Sequence, residues 1–221
     1  MKRVIFATIG LLAMAVSAGA ADLPRRYDPV PQQRAPAFTP LYNWTGFYVG
    51  INGGGGWGTS SWDSTGDFDV SGGMVGGTVG YNWQTAQWVF GVEVDVDWTN
   101  IKGSTTTLCA AGCQTKNSWL ATVRGRVGYS IDRFLPYVTG GLAVGDVRAS
   151  TPGFPGDEAT RAGWTAGGGF EFVIAGNWTA KAEYLYVDLG KFNCGLNCGA
   201  AATDNVSFTA HVVRGGVNFR F

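Results

Sequence analysis

Acidic residues occupy every second position in one segment of this chain. Glu93, Asp95 and Asp97 alternate with apolar residues between Trp88 and Trp98, so the segment has one acidic and one apolar face. Carboxylates in this pattern could act as a general acid and base, line a passage for solutes, or be neutralised by bases. Charged residues of later segments share the same predicted face: they are Arg124, Arg126, Glu171, Lys181, Glu183, Arg214 and Arg220. The set holds five acids and five bases, so it can neutralise itself.

Few other residues suggest catalysis or ligand binding. The single His211 excludes a site with two imidazoles, has no recognisable nucleophile motif beside it, and is predicted to lie in an aromatic girdle or at a loop edge. A calcium-loop pattern begins at Asp67, but Thr78 stands where that loop needs Glu. The net charge is zero without any Lys/Arg-rich run, which excludes nucleic acid as a partner. The sequence therefore predicts no enzyme, no cofactor and no metal site.

The elements that would position the charged residues are strands. Eight segments of alternating polarity are predicted at 44–58, 72–84, 88–101, 118–131, 134–148, 161–174, 178–189 and 206–221. The connections are alternately short, at 85–87, 132–133 and 175–177, and long, at 59–71, 102–117, 149–160 and 190–205. Apolar outer faces, polar inner faces and this alternation of connections are typical of barrels that span a bilayer. The sequence predicts an all-β protein, an eight-stranded antiparallel transmembrane up-and-down β-barrel with short periplasmic turns and long extracellular loops.

The barrel assigns a role to the charged face. With Trp98 opposite Trp119 in the hairpin that joins the third and fourth segments, Glu93 falls opposite Arg124 and within side-chain reach. An interior formed by eight strands is just wide enough for side chains to fill. The charged residues are therefore predicted to form a neutralised plug in the lumen. A narrow or gated pore and a catalytic carboxylate pair are the alternatives.

Aromatic residues collect at both ends of the predicted strands, as expected of girdles at the two membrane interfaces. Those beside the short connections are Trp83, Trp88, Tyr129, Phe134, Trp178 and Phe221. Those near the long connections are Trp57, Trp98, Trp119, Trp164 and Phe208. They are predicted to form two belts, and ordinary core residues are the alternative.

The N-terminal residues are predicted to lie outside the barrel. Residues 1–20 combine Lys2 and Arg3, an apolar run and a small-x-small site, which is the pattern of a cleaved secretory signal peptide. The run is shorter than the roughly 20 residues that cross a bilayer as a helix, and an uncleaved anchor is the alternative. Residues 21–43 are rich in proline and predicted to be a periplasmic linker, which leaves 44–221 for the barrel.

Four cysteines form two Cys-x-x-x-Cys units in predicted extracellular loops, Cys109 with Cys113 and Cys194 with Cys198. In an exported protein an even number of cysteines predicts disulfides, with three possible connectivities. Pairing within each unit is favoured, because the partners meet without ordering two separate loops. A four-cysteine zinc site is the alternative, although export would oxidise its thiols.

Several stretches resemble a known family: 21–24, 44–50, 137–143 and the terminal 213–221. They are similar to the small alphaproteobacterial porin-like or outer-membrane immunogenic proteins, within the OmpA-like superfamily of eight-stranded barrels. The resemblance implies a place in the outer membrane of a Gram-negative bacterium. It also implies insertion by the barrel-assembly machinery, which reads a final aromatic residue with apolar residues at alternate positions. Val217, Phe219 and Phe221 match this assembly signal, and Gly215 departs from it.

The predicted function is structural: a surface-exposed outer-membrane β-barrel that supports envelope integrity and forms at most a narrow pore. The alternative is a surface receptor or adhesin that binds a ligand through its extracellular loops, such as the haem that the resemblance implies for some relatives. Expected partners are outer-membrane lipid and lipopolysaccharide, the barrel-assembly machinery, and an unidentified host or small-molecule ligand.

Overall fold

The computed structural model describes residues 42–62, 66–106, 112–150, 153, 157–193 and 205–221. The predicted signal peptide and all but the last two residues of the predicted linker lie outside the described residues. Within the described ranges, no helix is long and apolar enough to cross a membrane.

Eight antiparallel strands form a closed barrel. Their bounds are β1 Gly46–Trp62, β2 Gly66–Thr85, β3 Trp88–Thr105, β4 Cys113–Tyr129, β5 Phe134–Ser150, β6 Asp157–Ala175, β7 Trp178–Asn193 and β8 Asn205–Arg220. Each strand pairs with its neighbours in sequence, and β1 pairs with β8 to close the ring. The predicted fold class is thereby confirmed.

Alternating exposure sorts the side chains of each strand. On β3, Val92, Val94 and Val96 are exposed on the outer surface, whereas Glu93 and Asp95 are buried inside. A closed ladder satisfies every backbone polar group between the strands, so a barrel can present this apolar surface to lipid. The lumen is left as the only interior, and its contents are set by the inward residues.

The strands run farther than the sequence predicts at one end of the barrel. This end, here the loop end, carries the connections around 63–65, 106–112, 151–156 and 194–204; the opposite turn end carries 86–87, 130–133 and 176–177. At the loop end β1 continues to Trp62, and β2 begins at Gly66. The predicted extent of the long loops at 59–71, 102–117, 149–160 and 190–205 is therefore wrong. Their polar residues, such as Asp67 and Asp69, face outward from strands whose inward residues are apolar.

In the added length at the loop end, polar and apolar residues exchange faces relative to the part of each strand that crosses the membrane. The strands hold 16 to 20 residues, whereas about 9 to 11 suffice to cross a bilayer. Beyond the hydrocarbon the outer face becomes polar and the lumen apolar, as in a water-soluble barrel. The inward apolar residues there form one cluster: Trp62, Phe68, Val70, Met74, Ile101, Leu120, Ala143, Val147, Ala149, Leu185, Val187, Leu189, Val206, Phe208, Ala210 and Val212.

Candidate functional site: the lumen

The lumen contains three layers. The apolar cluster fills its loop end. A smaller apolar group fills the turn end, where Trp44, Val89 and Leu135 are buried with Tyr42 and Val173 packed against them. Charged residues occupy the middle. All ten predicted lumen residues are buried, from Asp95 and Asp97 at 0% exposure to Arg220 at 4%. Side chains therefore fill the lumen from end to end.

Arg124 of β4 stands at the centre of the charged layer. Its guanidinium binds Glu93 on the adjacent strand, Asp95 at 2.6 Å and, across the lumen, Glu183 of β7 at 2.9 Å. Glu93 is its direct cross-strand partner. One arginine thus joins three carboxylates from two strands, which uses the fork of guanidinium donors more fully than a single pair would.

Arg214 of β8 enters the same layer from the other side. It lies 2.9 Å from Asp95, 2.8 Å from Asp97 and 2.8 Å from Glu183. Arg124 and Arg214 therefore share Asp95 and Glu183. Two arginines that share two carboxylates form a closed ring of ion pairs. This ring connects β3, β4, β7 and β8 inside the lumen.

Arg126 and Lys181 complete the layer toward the turn end. Arg126 lies 3.0 Å from Glu171 and 3.7 Å from Glu93, and Lys181 lies 3.0 Å from Glu93. The Arg126 guanidinium also lies over two tyrosine rings, 4.8 Å from the centre of Tyr48 and 5.1 Å from that of Tyr137. Contact with two electron-rich rings lowers the cost of removing the cation from water.

Arg220 does not join these ion pairs. Its guanidinium donates to the backbone oxygens of Asn43 at 3.0 Å and Thr45 at 3.4 Å, and lies 5.1 Å from the centre of the Trp44 ring. Its predicted place among the neutralised charges is corrected accordingly, because β8 ends at the turn end, below the carboxylates. Arg220 instead fixes Asn43 and Thr45, which precede β1, at the turn end of the barrel. The lumen charge network is thus nine residues: Glu93, Asp95, Asp97, Arg124, Arg126, Glu171, Lys181, Glu183 and Arg214.

Trp44 closes the turn end. The sequence places it at the start of the first strand, but β1 begins at Gly46 and Trp44 lies inside the barrel mouth, fully buried. Its indole nitrogen donates to the Asp132 backbone oxygen at 3.1 Å, and its backbone nitrogen donates to the Gln84 side chain at 2.6 Å. Because the indole N–H has a hydrogen-bond acceptor, Trp44 can occupy the turn end without leaving a buried donor unsatisfied.

Neutral polar side chains that the sequence analysis did not single out donate further hydrogen bonds to Glu93, Asp95, Glu171 and Glu183. Tyr48 donates to Glu93 at 2.8 Å and Tyr137 to Glu183 at 3.1 Å. Asp95 accepts from Thr78 at 2.7 Å and Thr122 at 3.0 Å. Glu171 accepts from Thr179 at 2.5 Å and from Asn218 at 3.0 Å. Their inward parity was the available signal: Thr122, Thr179 and Asn218 share the face of the network's charged residues on β4, β7 and β8. Tyr48, Thr78 and Tyr137 lie on strands that carry none of those charges, so only alternation marked them as inward.

No open chemical site appears in this arrangement. The carboxylates are buried and paired with cations, so none of the network's acids faces a space that could admit a substrate. Among the residues that the structure describes, no group of three or more His, Cys, Asp or Glu side chains could hold a metal ion. Of the predicted disulfide residues, Cys109, Cys194 and Cys198 lie outside the described residues, and only the backbone of Cys113, at the start of β4, is described.

The outer surface carries the aromatic residues, with one exception. Ten of the eleven predicted girdle residues are exposed or partly exposed on the outside of the barrel, among them Trp83, Trp98 and Trp164. Phe208 is 3% exposed and belongs to the apolar cluster in the lumen, so its predicted place in the girdle is wrong. His211 is partly exposed on the outer face, where its Nδ1 lies 2.7 Å from the Tyr184 hydroxyl and its ring stacks on Trp57.

The residues of the predicted assembly signal lie at the turn end. Phe221 is exposed, and its backbone nitrogen donates to Phe47 on β1 at 3.0 Å. The Phe219 ring contacts both Trp178 and Phe221, with centroids 5.1 Å and 5.3 Å away. Val217 is exposed on the same outward face. The final residues of the chain therefore present an apolar strip to lipid where β8 meets β1.

A closed ring of strands with an apolar outer belt and a lumen filled by compensated charge defines an outer-membrane β-barrel protein. The chain belongs to the family described as outer membrane protein beta-barrel domain, whose model matches residues 6–221.

Two relatives by sequence agree with this assignment. The chain is 40% identical to the 31 kDa outer-membrane immunogenic protein of Brucella melitensis biotype 1, over 100% of both chains. It is 35% identical to the 22 kDa outer membrane protein of Rhizobium leguminosarum bv. viciae, over 86% of this chain and 83% of that one. The solved structure of Neisserial surface protein A is similar at 16% identity and a TM-score of 0.48, over 80% of this chain and 98% of that one. The protein resides in the outer membrane of a Gram-negative bacterium, as the sequence predicts.

Proposed function

We propose that the protein is a structural barrel that supports the integrity of the outer membrane and whose lumen is closed to solutes. The observation that carries this proposal is the three-layered filling of the lumen, with apolar groups at both ends and ion pairs between them. A solute would have to displace Trp44 at one end and the apolar cluster at the other. Breaking buried ion pairs on the way would add several kcal/mol for each stranded charge.

The charged layer supports a role as a rigid strut. Five of its ion pairs join strands that are not neighbours, so they resist flattening of the barrel, which backbone hydrogen bonds between neighbouring strands oppose less directly. Arg214, for example, connects β8 with Asp97 of β3 at 2.8 Å. Both partners are buried, so solvent and salt screen their attraction little. A barrel braced in this way keeps a constant cross-section in the bilayer.

The same features support the absence of an enzymatic role. A general acid or base must reach a substrate within hydrogen-bond distance or through one water. Glu93 and Asp95 instead contact buried cations in the middle of the lumen.

We further propose that the barrel-assembly machinery inserts the chain by reading Val217, Phe219 and Phe221. The exposure of Phe221 and Val217 beside the seam where β8 pairs with β1 supports this proposal, since it leaves both side chains accessible on the outer surface. Deleting Phe221 should lower the amount of barrel in the outer membrane while leaving synthesis unchanged. Normal surface levels of this variant would contradict the proposal.

Planar-bilayer recording tests whether the lumen is closed. The purified barrel should insert and show little conductance, and a large, steady conductance would refute the structural proposal in favour of a pore.

A deletion strain tests the structural role against the receptor alternative. It should become sensitive to detergent, and both the wild-type protein and a variant with residues 107–111 and 194–204 replaced by short linkers should restore resistance. If resistance never depends on the protein, while capture of haem is lost with the replaced segments, the receptor or adhesin role holds instead.

A further inference from the structure

Three basic residues form a row across the outside of the barrel at the loop end. Lys102 of β3 lies directly opposite Lys116 of β4, and Lys116 lies directly opposite Arg148 of β5. All three are exposed, and the residues beside them in sequence, such as Ile101, Thr115 and Val147, are buried. The three cationic groups therefore share one outward face of three adjacent strands. We call Lys102, Lys116 and Arg148 the cationic row.

Nothing among the described residues neutralises the two lysines. Arg148 pairs with Glu158 of β6, and both side chains are about half exposed. Neither Lys102 nor Lys116 makes an ion pair with any residue that the structure describes. Ser71 of β2 lies opposite Lys102, and Asp69, two residues earlier in β2, is an exposed acid on the same side.

Like charges directly opposite one another destabilise a pair of strands, because the two Cβ atoms lie only about 4.5 to 5.5 Å apart. The cationic row contains two such pairs in succession. Anionic groups bound between the side chains would turn this repulsion into attraction. The arrangement thus calls for a ligand with more than one negative charge, spread over three strands.

The height of the row identifies the source of that charge. Trp98 and Trp119 lie opposite one another and mark the interfacial girdle at the loop end. Lys102 is four residues beyond Trp98. At about 3.3 Å per residue and a tilt of about 45°, that distance places the row roughly 9 Å beyond the girdle. This is the headgroup layer, and the loop end of a bacterial barrel faces the cell exterior.

We propose that the cationic row binds the phosphate groups of a phosphorylated lipid in the outer leaflet. Lys102 and Lys116 would each contribute a point charge, while Arg148, already held by Glu158, would present its remaining donors. This site goes beyond the structural role and does not depend on whether the lumen is closed. It would fasten the barrel laterally to its lipid annulus.

Binding of lipid A by the folded, detergent-solubilised protein tests the proposal. Native mass spectrometry would compare bis-phosphorylated lipid A with the same lipid after phosphatase treatment. We expect the phosphorylated form to bind more tightly, and Lys102→Gln/Lys116→Gln to weaken its binding by about tenfold or more, since basic residues near an anionic surface each contribute measurably. Lys191→Gln is the matched control: Lys191 is an exposed lysine at the loop end of β7, opposite Ser207, and its loss should leave binding unchanged.

A thermal measurement separates the site from nonspecific attraction. Without lipid, Lys116→Gln should unfold at a higher temperature than the wild type, because two like-charge pairs disappear. With bis-phosphorylated lipid A, the unfolding temperature of the wild type should rise more than that of the variant, so that the wild type becomes the more stable of the two. Equal binding of the two lipid A forms, unchanged binding by the double variant, or equal protection by millimolar inorganic phosphate would each overturn the proposal.

Discussion

Lys181 and Glu93 meet across the full width of the barrel. The Lys181 ammonium of β7 lies 3.0 Å from the Glu93 carboxylate of β3, although three strands separate these two in either direction around the ring. Their contact therefore spans the middle of the lumen. Glu93 also binds Arg124 and accepts a hydrogen bond from Tyr48, so this single carboxylate connects four strands: its own, β1, β4 and β7.

Replacing Arg124 with alanine tests the energetic weight of the charged layer. The change removes the cation that compensates Glu93, Asp95 and Glu183. Truncating one partner of a buried ion pair costs about 3 to 5 kcal/mol, and we expect the lower part of that range, because Glu93 keeps Lys181 while Asp95 and Glu183 keep Arg214. The free energy of unfolding can be measured from gel migration of unheated samples across a denaturant series. Arg148→Ala is the control, since loss of an exposed ion pair should cost less than about 1 kcal/mol.

The double variant Glu93→Ala/Arg124→Ala should recover part of this loss. The carboxylate that lost its cross-strand arginine is removed, while Asp95 and Glu183 keep Arg214 as a partner. Recovery should stay incomplete, because Lys181 then loses its own partner, Glu93. A double-mutant cycle gives the coupling energy. Simple additivity of the two changes would mean that the two side chains do not interact in the membrane.

Removing the Trp44 side chain should open the turn end. Trp44→Ala deletes the largest fully buried side chain and leaves a cavity beside Val89 and Leu135, at a typical cost of about 3 to 5 kcal/mol. Water can then reach the charged layer, so planar-bilayer recordings should show brief openings that the wild type lacks. Trp83→Ala provides the comparison, as Trp83 is an exposed tryptophan near the same end and its loss leaves the lumen filled. Identical traces for all three proteins would show that Trp44 is not the barrier.

Much of this architecture follows from a period of two in the sequence. Alternation places Glu93 and Arg124 on inward faces, and matching Trp98 with Trp119 gives their register, which the structure reproduces. Periodicity does not report which face is inside. Phe208 shows the consequence: at the loop end the inward residues are apolar and the outward ones polar, so an aromatic residue there belongs to the core. The outward residues in the same region are polar, so the sequence analysis predicted loops where the structure has strands.

Contacts across the lumen could not be predicted from the sequence. Register fixes only neighbours on adjacent strands, whereas Lys181 and Glu93 meet because of barrel diameter and side-chain length. Arg220 has the inward parity of Arg214 but lies six residues farther along β8, where backbone oxygens and Trp44 replace carboxylates. Depth in the barrel, which parity does not encode, separates these two arginines.

Phe208 provides a test of the inverted pattern at the loop end. If it packs in the lumen, Phe208→Ala should lower the free energy of unfolding by about 3 to 5 kcal/mol, as expected for a buried phenylalanine. Trp164→Ala, which removes an exposed aromatic residue from the outer girdle, should cost less. The two variants can be compared by thermal unfolding in the same detergent. A larger loss for Trp164 would restore the girdle assignment of Phe208.

Gly80 gives the sharpest test of how tightly the charged layer is packed. It lies directly opposite Tyr48, and a Cβ at this position would come within 2.2 Å of the tyrosine oxygen and 2.3 Å of Cζ. Tyr48 is held there by Glu93 and by the Arg126 guanidinium over its ring, so it has little freedom to move. Gly80→Ala should therefore cost about 1 to 3 kcal/mol through overpacking.

Gly53→Ala is the matched control for this substitution. Gly53 lies on β1 with its Cβ direction open to the outside, where the nearest atom would be 3.6 Å away, so its replacement should be close to neutral. Combining Gly80→Ala with Tyr48→Leu should cost less than the sum of the two single changes, because the shorter side chain removes the collision. Thermal unfolding of the four variants and the wild type gives these values. Equal, small losses at Gly80 and Gly53 would mean that Tyr48 moves freely and that the lumen is looser than its contacts indicate.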